Sequence, residues 1–411
     1  MSPATLAAQA QASFPDTGLH IMGIASQYPD HAVGVQEFRE FVLKNTPRTP
    51  IIEKLLVFNE STGIDTRHTI SELIDPISVN STEAPTIDQL SEYFLKEGVK
   101  IAAAASSKAI EEWGGDVSEI THVIAVTCTN SANPGYDYYV ARELGLKSTV
   151  ERTLLHGVGC AGGLAALRNA ANIALGATFL NRPARILIVA CELTSLLIRS
   201  ELDLMQKTGN FRIGAAIFSD CASAAVLSNG IGESPDAKPV YDLLGWDHLT
   251  VPETSGDIGF DIHPHGWNAV LTPKVPAIAA AGTPPVFGSL LSRIPSLAPD
   301  GVAPAAADFD WAVHPGGAKV LLSVGKVLGL PLEHLRASWD IYKNRGNSSS
   351  ATILSVMHRL REPDMGEGRE NVVAVAFGPS VAVEMCILKR VRGVAPHADV
   401  APASVGSSDS E

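Results

Sequence analysis

Leu155-His156-Gly157-Val158-Gly159-Cys160-Ala161-Gly162-Gly163-Leu164 is the stretch on which the reading of this chain turns. A strand-like approach gives way to a glycine-rich turn. The turn opens a helical pattern of small and apolar residues over Gly162 to Ala177. Cys160 is thereby placed at a helix N-terminus, where unpaired N–H groups and the positive end of the helix dipole favour a thiolate. The flanking glycines are expected to let a large substrate approach the sulfur closely. A nucleophile of this kind needs a base, an oxyanion site and a pocket from elsewhere in the chain.

Outward from Cys160, buried-type strands are predicted at Gly18 to Ser26, His122 to Thr127, Arg185 to Cys191 and Ala215 to Leu227, the last interrupted by Phe218-Ser219-Asp220. Helices are predicted over Val35 to Lys44, Ile51 to Glu60 and Tyr93 to Trp113. Asp310 to Val313 reads as a strand ending at His314, with a helix over Ala318 to Val327. Asn371 to Phe377 and Ala382 to Val391 read as a hairpin around Gly378-Pro379-Ser380. Pro284 to Ala306 reads as an irregular connection, and residues 71–88 as a polar surface loop. A strand delivering a reactive residue to a following helix occurs near Cys160 and again at His314, and the alternation argues for α/β layers.

The 411 residues exceed one small core and suggest two domains or a duplicated one. A net charge of −13 argues against nucleic-acid binding. The five cysteines are odd in number and form no CxxC, which argues against a disulfide framework or zinc site and for a reduced, cytoplasmic protein. Met1 to Phe14 lacks the basic and apolar regions of a signal peptide. Val275 to Leu291 is uncharged, but its prolines argue against a membrane span. No metal or other cofactor is expected.

Trp311-Ala312-Val313-His314-Pro315-Gly316-Gly317 delivers a histidine into a turn at the kind of edge where α/β folds place sites. Asn347, in Gly346-Asn347-Ser348-Ser349-Ser350, reads as a helix cap that can still present its NH2 to a substrate oxygen. Together the three residues have a chemical logic: a thiolate attacks a carbonyl, an imidazole pairs with it, and an amide adds a second donor. The order Cys, His, Asn fits papain-like proteases or thiolase-type condensing enzymes. A protease-type signature is absent around Cys160. His156 lies four residues earlier on the approach strand and ranks below His314 as a base.

Gly159-Cys160-Ala161-Gly162-Gly163, His314-Pro315-Gly316-Gly317, Gly346-Asn347-Ser348-Ser349 and Phe377-Gly378-Pro379 with Glu384 resemble, in this order, the nucleophile, histidine, asparagine and scaffold loops of type III polyketide synthases. These are the chalcone synthase-like branch of the thiolase superfamily, and the resemblance is to fungal members in particular. Ser380 stands where a second glycine is usual. The resemblance runs from about Gly18 to Arg392. It implies a layered αβαβα architecture of two similar halves, 18–230 and 231–394, with loose tails at 1–17 and 395–411. It implies that Cys160 is acylated by a starter CoA and that His314 and Asn347 stabilise the enolate of decarboxylated malonyl-CoA. It further implies a homodimer, with the Asn133-Pro134-Gly135 turn bordering the partner's cavity.

By the same resemblance Phe218 falls in the gatekeeper region, Leu197 near a cavity-shaping position and Ala269 where a second gatekeeper aromatic is absent. Cys128 is a candidate cavity residue, with Gly316 and Pro379 from the motif loops. Lys54 and Arg67 lie in the segment that meets CoA phosphates in the family. An open apolar cavity favours fatty acyl starters and alkylpyrone or alkylresorcinol products, at roughly 0.8 kcal/mol per buried methylene. The alternatives are a ketoacyl synthase III-type enzyme or an idle scaffold subunit of the same fold.

Overall fold

The computed structural model describes residues 13–70 and 84–391. The expected tail 395–411, residues 1–12 and most of the 71–88 loop lie outside the described residues, whereas 13–17 pack against the body: Phe14 N–H donates to the Arg293 carbonyl, and Thr17 is buried. The strands are β1 (His20–Gln27), β2 (His31–Gly34), β3 (Thr66–Thr69), β4 (His122–Val126), β5 (Glu151–Leu155), β6 (Arg185–Glu192), β7 (Cys221–Ser228), β8 (Tyr241–Thr250), β9 (Ile258–His263), β10 (Gly266–Leu271), β11 (Phe309–Val313), β12 (Asn371–Gly378) and β13 (Ala382–Arg390). The helices are α1 (Val35–Asn45), α2 (Pro50–Ser61), α3 (Ile87–Tyr93), α4 (Val99–Trp113), α5 (Tyr136–Glu143), α6 (Gly162–Phe179), α7 (Ile198–Thr208), α8 (Val275–Arg293), α9 (Ala318–Leu328), α10 (Arg336–Arg345) and α11 (Thr352–Arg359). One further turn of helix covers Gly214–Ile217.

Nine strands form one hydrogen-bonded ladder, in the order β11-β12-β13-β8-β1-β7-β6-β4-β5. Its two parts repeat one topology. β4 runs parallel to β6, β6 antiparallel to β7, and β7 antiparallel to β1. Likewise β11 runs parallel to β12, β12 antiparallel to β13, and β13 antiparallel to β8. The parts join where His20 and Ile21 of β1 meet Asp242 and Tyr241 of β8.

Alternation of side chains along the strands builds the layers. Ile124, Ile186 and Ile188 of the first part and Val372, Ala374 and Leu388 of the second face a shared core with α6 and α11. Val123, Leu187 and Val189 face outward onto α4 and α5. Val373, Val375 and Ile387 face outward onto α8 and α9. The sequence is thus helix, sheet, central helices, sheet, helix, which is the thiolase-like α/β arrangement. Small residues allow the close approaches: a Cβ on Gly23 of β1 would lie 2.1 Å from the Ala109 carbonyl oxygen of α4.

Three expectations are corrected. The Pro284 to Ala306 connection begins as helix: α8 runs through Pro284 and Pro285 to Arg293. Prolines in a helix interior cost about 3 kcal/mol each, but α8 buries Ala279, Thr283, Val286, Phe287 and Leu290 on one face. That burial holds it against β8, β13 and α9. α8 is also long and apolar enough to cross a membrane, a test that buried core helices pass equally. The Tyr93 to Trp113 helix is interrupted by a π-helical turn at Phe94–Gly98. The Ala215 to Leu227 strand begins only at Cys221, after the turn of helix at Gly214–Ile217.

Candidate active site

Cys160 sits in a tight 3-10 turn, Gly159–Ala161, leading straight into α6. The glycines serve packing, and Gly159 also lines the cavity. Gly159 has a φ of +47°, and a Cβ there would lie 2.6 Å from Pro379. A Cβ on Gly162 would lie 2.5 Å from the Val126 side chain, and one on Gly163 would lie 2.6 Å from the Ser350 carbonyl oxygen. They press the nucleophile turn against the scaffold loop and the asparagine loop.

His314 directly follows β11 and is 1% exposed. Its N–H donates to the Val375 carbonyl at 2.8 Å, which extends the β11–β12 ladder by one residue. The Gly316 N–H closes the turn onto the His314 carbonyl at 2.9 Å. Both ring nitrogens are buried without a hydrogen-bond partner. Asn347 is held through its backbone. Its N–H donates to Ile217 at 3.0 Å, and its carbonyl accepts from Ser219 N–H at 2.9 Å. Its Oδ1 accepts from Ser349 N–H at 2.8 Å, closing a side-chain turn one residue before the cap, which is Ser348 and not Asn347 as expected. That leaves the amide NH2 for the cavity.

Cys160, His314 and Asn347 line one cavity. Phe218, Ile258, Phe260, Leu271, Val275 and Val320 form apolar walls, and Phe377 and Pro379 close the side beside the nucleophile turn. Gly316 contributes backbone at the histidine.

Burial sets the protonation states. It pushes the Cys160 thiol up to about 11; a hydrogen bond with Ser349 opposes this, and the Glu192 charge adds to it. It pushes the His314 imidazolium down to about 3. Desolvation thus opposes the helix N-terminus, and burial pushes each group, taken alone, towards its neutral form. Proton transfer from Cys160 to His314 creates opposite charges together in one low-dielectric cavity. Their attraction offsets a desolvation cost that either charge alone would bear in full.

The other predicted residues are placed as follows. Cys128 is buried beside the site. Its sulfur lies 3.4 Å from Ser349 Oγ, which lies 3.4 Å from the Cys160 sulfur. Leu197 is core, 2% exposed, and does not line the cavity. Ala269 packs in the same cluster as Phe218 without lining the cavity. The aromatic expected near it stands one strand away: Phe260 of β9 pairs with Ala269 of β10 and contacts Phe218, with ring centroids 6.1 Å apart. Asn133 and Pro134 are exposed beside α5. Lys54 is exposed, its Nζ 4.9 Å from the Phe211 ring centroid. Arg67 is the clear correction: it is 1% exposed, donates to the Ala215 carbonyl and Asn59 Oδ1, and stacks over Phe38. Its guanidinium braces α2 and the Gly214–Ile217 turn and presents no charge at a CoA mouth. His156 is exposed, with Nε2 at the Asn130 carbonyl.

Sequence reading missed Phe260, Ser349 and Glu192. Glu192 ends β6 fully buried, receiving Thr127 and Thr129 hydroxyls, Cys128 N–H and Ser350 Oγ. It ties the loop after β4 to the asparagine loop. Its place at the end of an apolar strand was the available signal. Glu384 meets the expectation of a scaffold residue, paired twice with Arg168 of α6 at 2.8 Å.

A duplicated α/β fold that gathers a cysteine, a histidine and an asparagine into one apolar cavity is that of thiolase-like condensing enzymes. The family pattern for chalcone and stilbene synthases matches at residues 7–231 (N-terminal domain) and 247–392 (C-terminal domain). The chain is 38% identical over 379 residues to the acylalkylpyrone synthase csyB of Aspergillus oryzae, covering 92% of this chain and 95% of csyB. Among solved structures it is similar to a fungal type III polyketide synthase, ORAS (TM-score 0.88, 48% identity, 91% of this chain and 100% of that one). It is also similar to CsyB complexed with CoA-SH (TM-score 0.86, 37% identity, 91% and 100%). The chain belongs to the chalcone and stilbene synthase family: it is a type III polyketide synthase, an acyltransferase.

Proposed function

We propose that Cys160 carries the growing acyl chain and that His314 and Asn347 stabilise the malonyl-derived enolate. The observation that carries this reading is the single cavity in which these three polar side chains face apolar walls. In the loading step His314 takes the Cys160 proton, the sulfur attacks the starter thioester carbonyl, and CoA leaves as the thiol with that proton. Malonyl-CoA then loses CO2. The electron pair left behind becomes an enolate whose oxygen receives hydrogen bonds from His314 and Asn347. The enolate carbon attacks the Cys160 thioester, the new carbon–carbon bond forms, and the cysteine is released for reloading.

The walls of Phe, Ile, Leu and Val favour fatty acyl starters, and products are alkylpyrones or alkylresorcinol-type compounds. The name of csyB, acylalkylpyrone synthase, supports the pyrone branch. CoA as the carrier is supported by the CoA-SH complex of CsyB, with Lys54 a candidate at the mouth. The division into halves 18–230 and 231–394 belongs to this reading and is supported by the repeated strand order. So does a cytoplasmic homodimer. It is supported by β5, an edge strand that exposes Glu151, Arg152 and Thr153 beside the Asn133-Pro134 turn and leaves a ladder edge to be covered.

The test is purified enzyme with malonyl-CoA and a panel of acyl-CoAs, read by mass spectrometry. Long-chain acyl-CoAs are expected to be preferred, and a clear preference for coumaroyl-CoA would sink the starter assignment. Cys160→Ala is expected to abolish acyl-enzyme and product; product formation by that variant would overturn the choice of nucleophile.

A further inference from the structure

Asn347 is held by backbone alone from one side: Phe218 and Asn347 form an isolated parallel bridge. The strip Ile217-Phe218-Ser219 supplies both backbone bonds that fix the asparagine, and its phenylalanine is a cavity wall. The next residue, Asp220, is fully buried. Its Oδ1 accepts from Ser195 N–H at 2.7 Å, and its Oδ2 accepts from Ser195 Oγ at 2.5 Å and Ile70 N–H at 3.0 Å. Asp220 N–H donates to the His68 carbonyl at 2.8 Å, and Thr194 Oγ1 donates to the Ser219 carbonyl at 2.6 Å. One carboxylate therefore ties the end of β3 and the 3-10 turn Thr194–Leu197 to the strip that carries Asn347. Among the described residues it has no cationic partner, so the neutral donors alone hold its charge. A buried carboxylate without a counter-charge is costly and is not needed to fill space.

We propose that Asp220 is a positioning residue for the Asn347 amide, acting through the 217–219 strip. This rests on the reading above, in which Asn347 stabilises the malonyl-derived enolate. The clamp is strongest in the ionised form, because a carboxylate accepts charge-assisted bonds from both N–H groups and the hydroxyl together. Burial raises Asp220 to about 6, opposed by the Ser195, Ile70 and Thr194 donors. The other titratable or charged groups around it are His68 on β3, Cys191 and Glu192 on β6, Cys221 on β7 and Arg345 at the end of α10. Burial holds His68 towards its neutral form and both thiols towards theirs. Arg345 is directed at His68 Nε2. As pH falls through about 6 the carboxylate protonates, the charge-assisted bonds weaken, and the asparagine strip is loosened.

The experiment compares wild type, Asp220→Asn, Ser195→Ala and Asn347→Ala in two assays. One is acylation of Cys160 by a fatty acyl-CoA, read by intact mass. The other is CO2 release from malonyl-CoA between pH 5 and 8. Asp220→Asn is expected to lower CO2 release on the order of 10–100-fold, the effect of misplacing a positioned group. Acylation should stay within about twofold, because the nucleophile turn is held separately. Ser195→Ala removes a donor that lowers the Asp220 pKa, so its acid limb should move to higher pH, a shift that general loosening would not give. CO2 release within about twofold of wild type in Asp220→Asn, an unmoved limb in Ser195→Ala, or equal loss of acylation and CO2 release would each overturn the proposal. If Asn347→Ala itself keeps CO2 release, the enolate assignment falls, and the role of Asp220 with it.

Discussion

Gly378 ends β12 in an extended conformation (φ −138°, ψ −173°) that alanine adopts freely. Replacing it by alanine is therefore a purely steric perturbation. The added Cβ would lie 2.5 Å from the Val158 carbonyl oxygen, 2.7 Å from Ala161 Cβ and 2.9 Å from Ala161 N. Ordinary contacts at these atoms are longer by about 0.5–1 Å, and two of the three obstacles are backbone of the segment that holds Cys160. The strain has no flexible side chain to absorb it, so the turn must move. Overpacking of this kind costs about 1–3 kcal/mol, and displacing a nucleophile by a sizeable fraction of an ångström slows its reaction on the order of 10–100-fold. The assay is the rate of acyl-enzyme formation from a fatty acyl-CoA, followed by rapid quench and intact mass, with thermal unfolding alongside. Adding Ala161→Gly removes one obstacle and should restore part of the rate. Loading within about twofold of wild type, with an unchanged unfolding midpoint, would falsify the close-packing account of the nucleophile turn.

Ser380 occupies the left-handed region (φ 62°, ψ 25°) with an exposed side chain. Ser380→Gly should therefore stabilise by about 0.5–1 kcal/mol, and a lowered unfolding midpoint would refute this. Arg67→Met removes buried charged hydrogen bonds and should destabilise by about 2–4 kcal/mol while leaving KM for acyl-CoA unchanged in the folded enzyme; a raised KM without destabilisation would return Arg67 to the CoA mouth. Phe260→Ala widens the cavity, so competition among mixed acyl-CoAs should shift towards longer chains, by about fourfold in kcat/KM per additional buried methylene. An unchanged product profile would remove Phe260 from the specificity wall.

The reactive residues were legible because their chemistry needs local signatures that survive in one dimension: a glycine-bounded cysteine, a strand-end histidine, an asparagine before a helix. The strands were legible for a similar reason, since Val-, Ile- and Ala-rich runs buried on both faces leave little room for other readings. What failed depended on three-dimensional context. Nothing in its own segment distinguishes Arg67 from a surface cation; Phe38, Asn59 and Ala215 together make its buried niche. Pro284-Pro285 reads as a break because local propensity says so, and the packed face of α8 overrides it. Ala269 suggested an open wall because the aromatic that closes it comes from the paired strand. The helix position of Cys160 is visible in sequence, whereas the depth of burial that opposes its thiolate is not.

The repeated topology also alters the comparison first drawn between Cys160 and His314. Following the strand order, His314 after β11 corresponds to Thr127 after β4, and Asn347 before α11 corresponds to Cys160 before α6. The two parts of the chain thus donate equivalent loops to one chamber, where they have taken on different chemical duties. Neither part holds the full proposed set of reacting groups, and the ladder between them is joined at His20–Asp242 and Ile21–Tyr241, with Leu243 N–H on the Leu19 carbonyl. A chain severed in the exposed turn around Ser234 and Asp236 would yield two inert fragments. Their mixing would assemble a reaction chamber that neither possesses, so activity itself would report the fit of one half against the other.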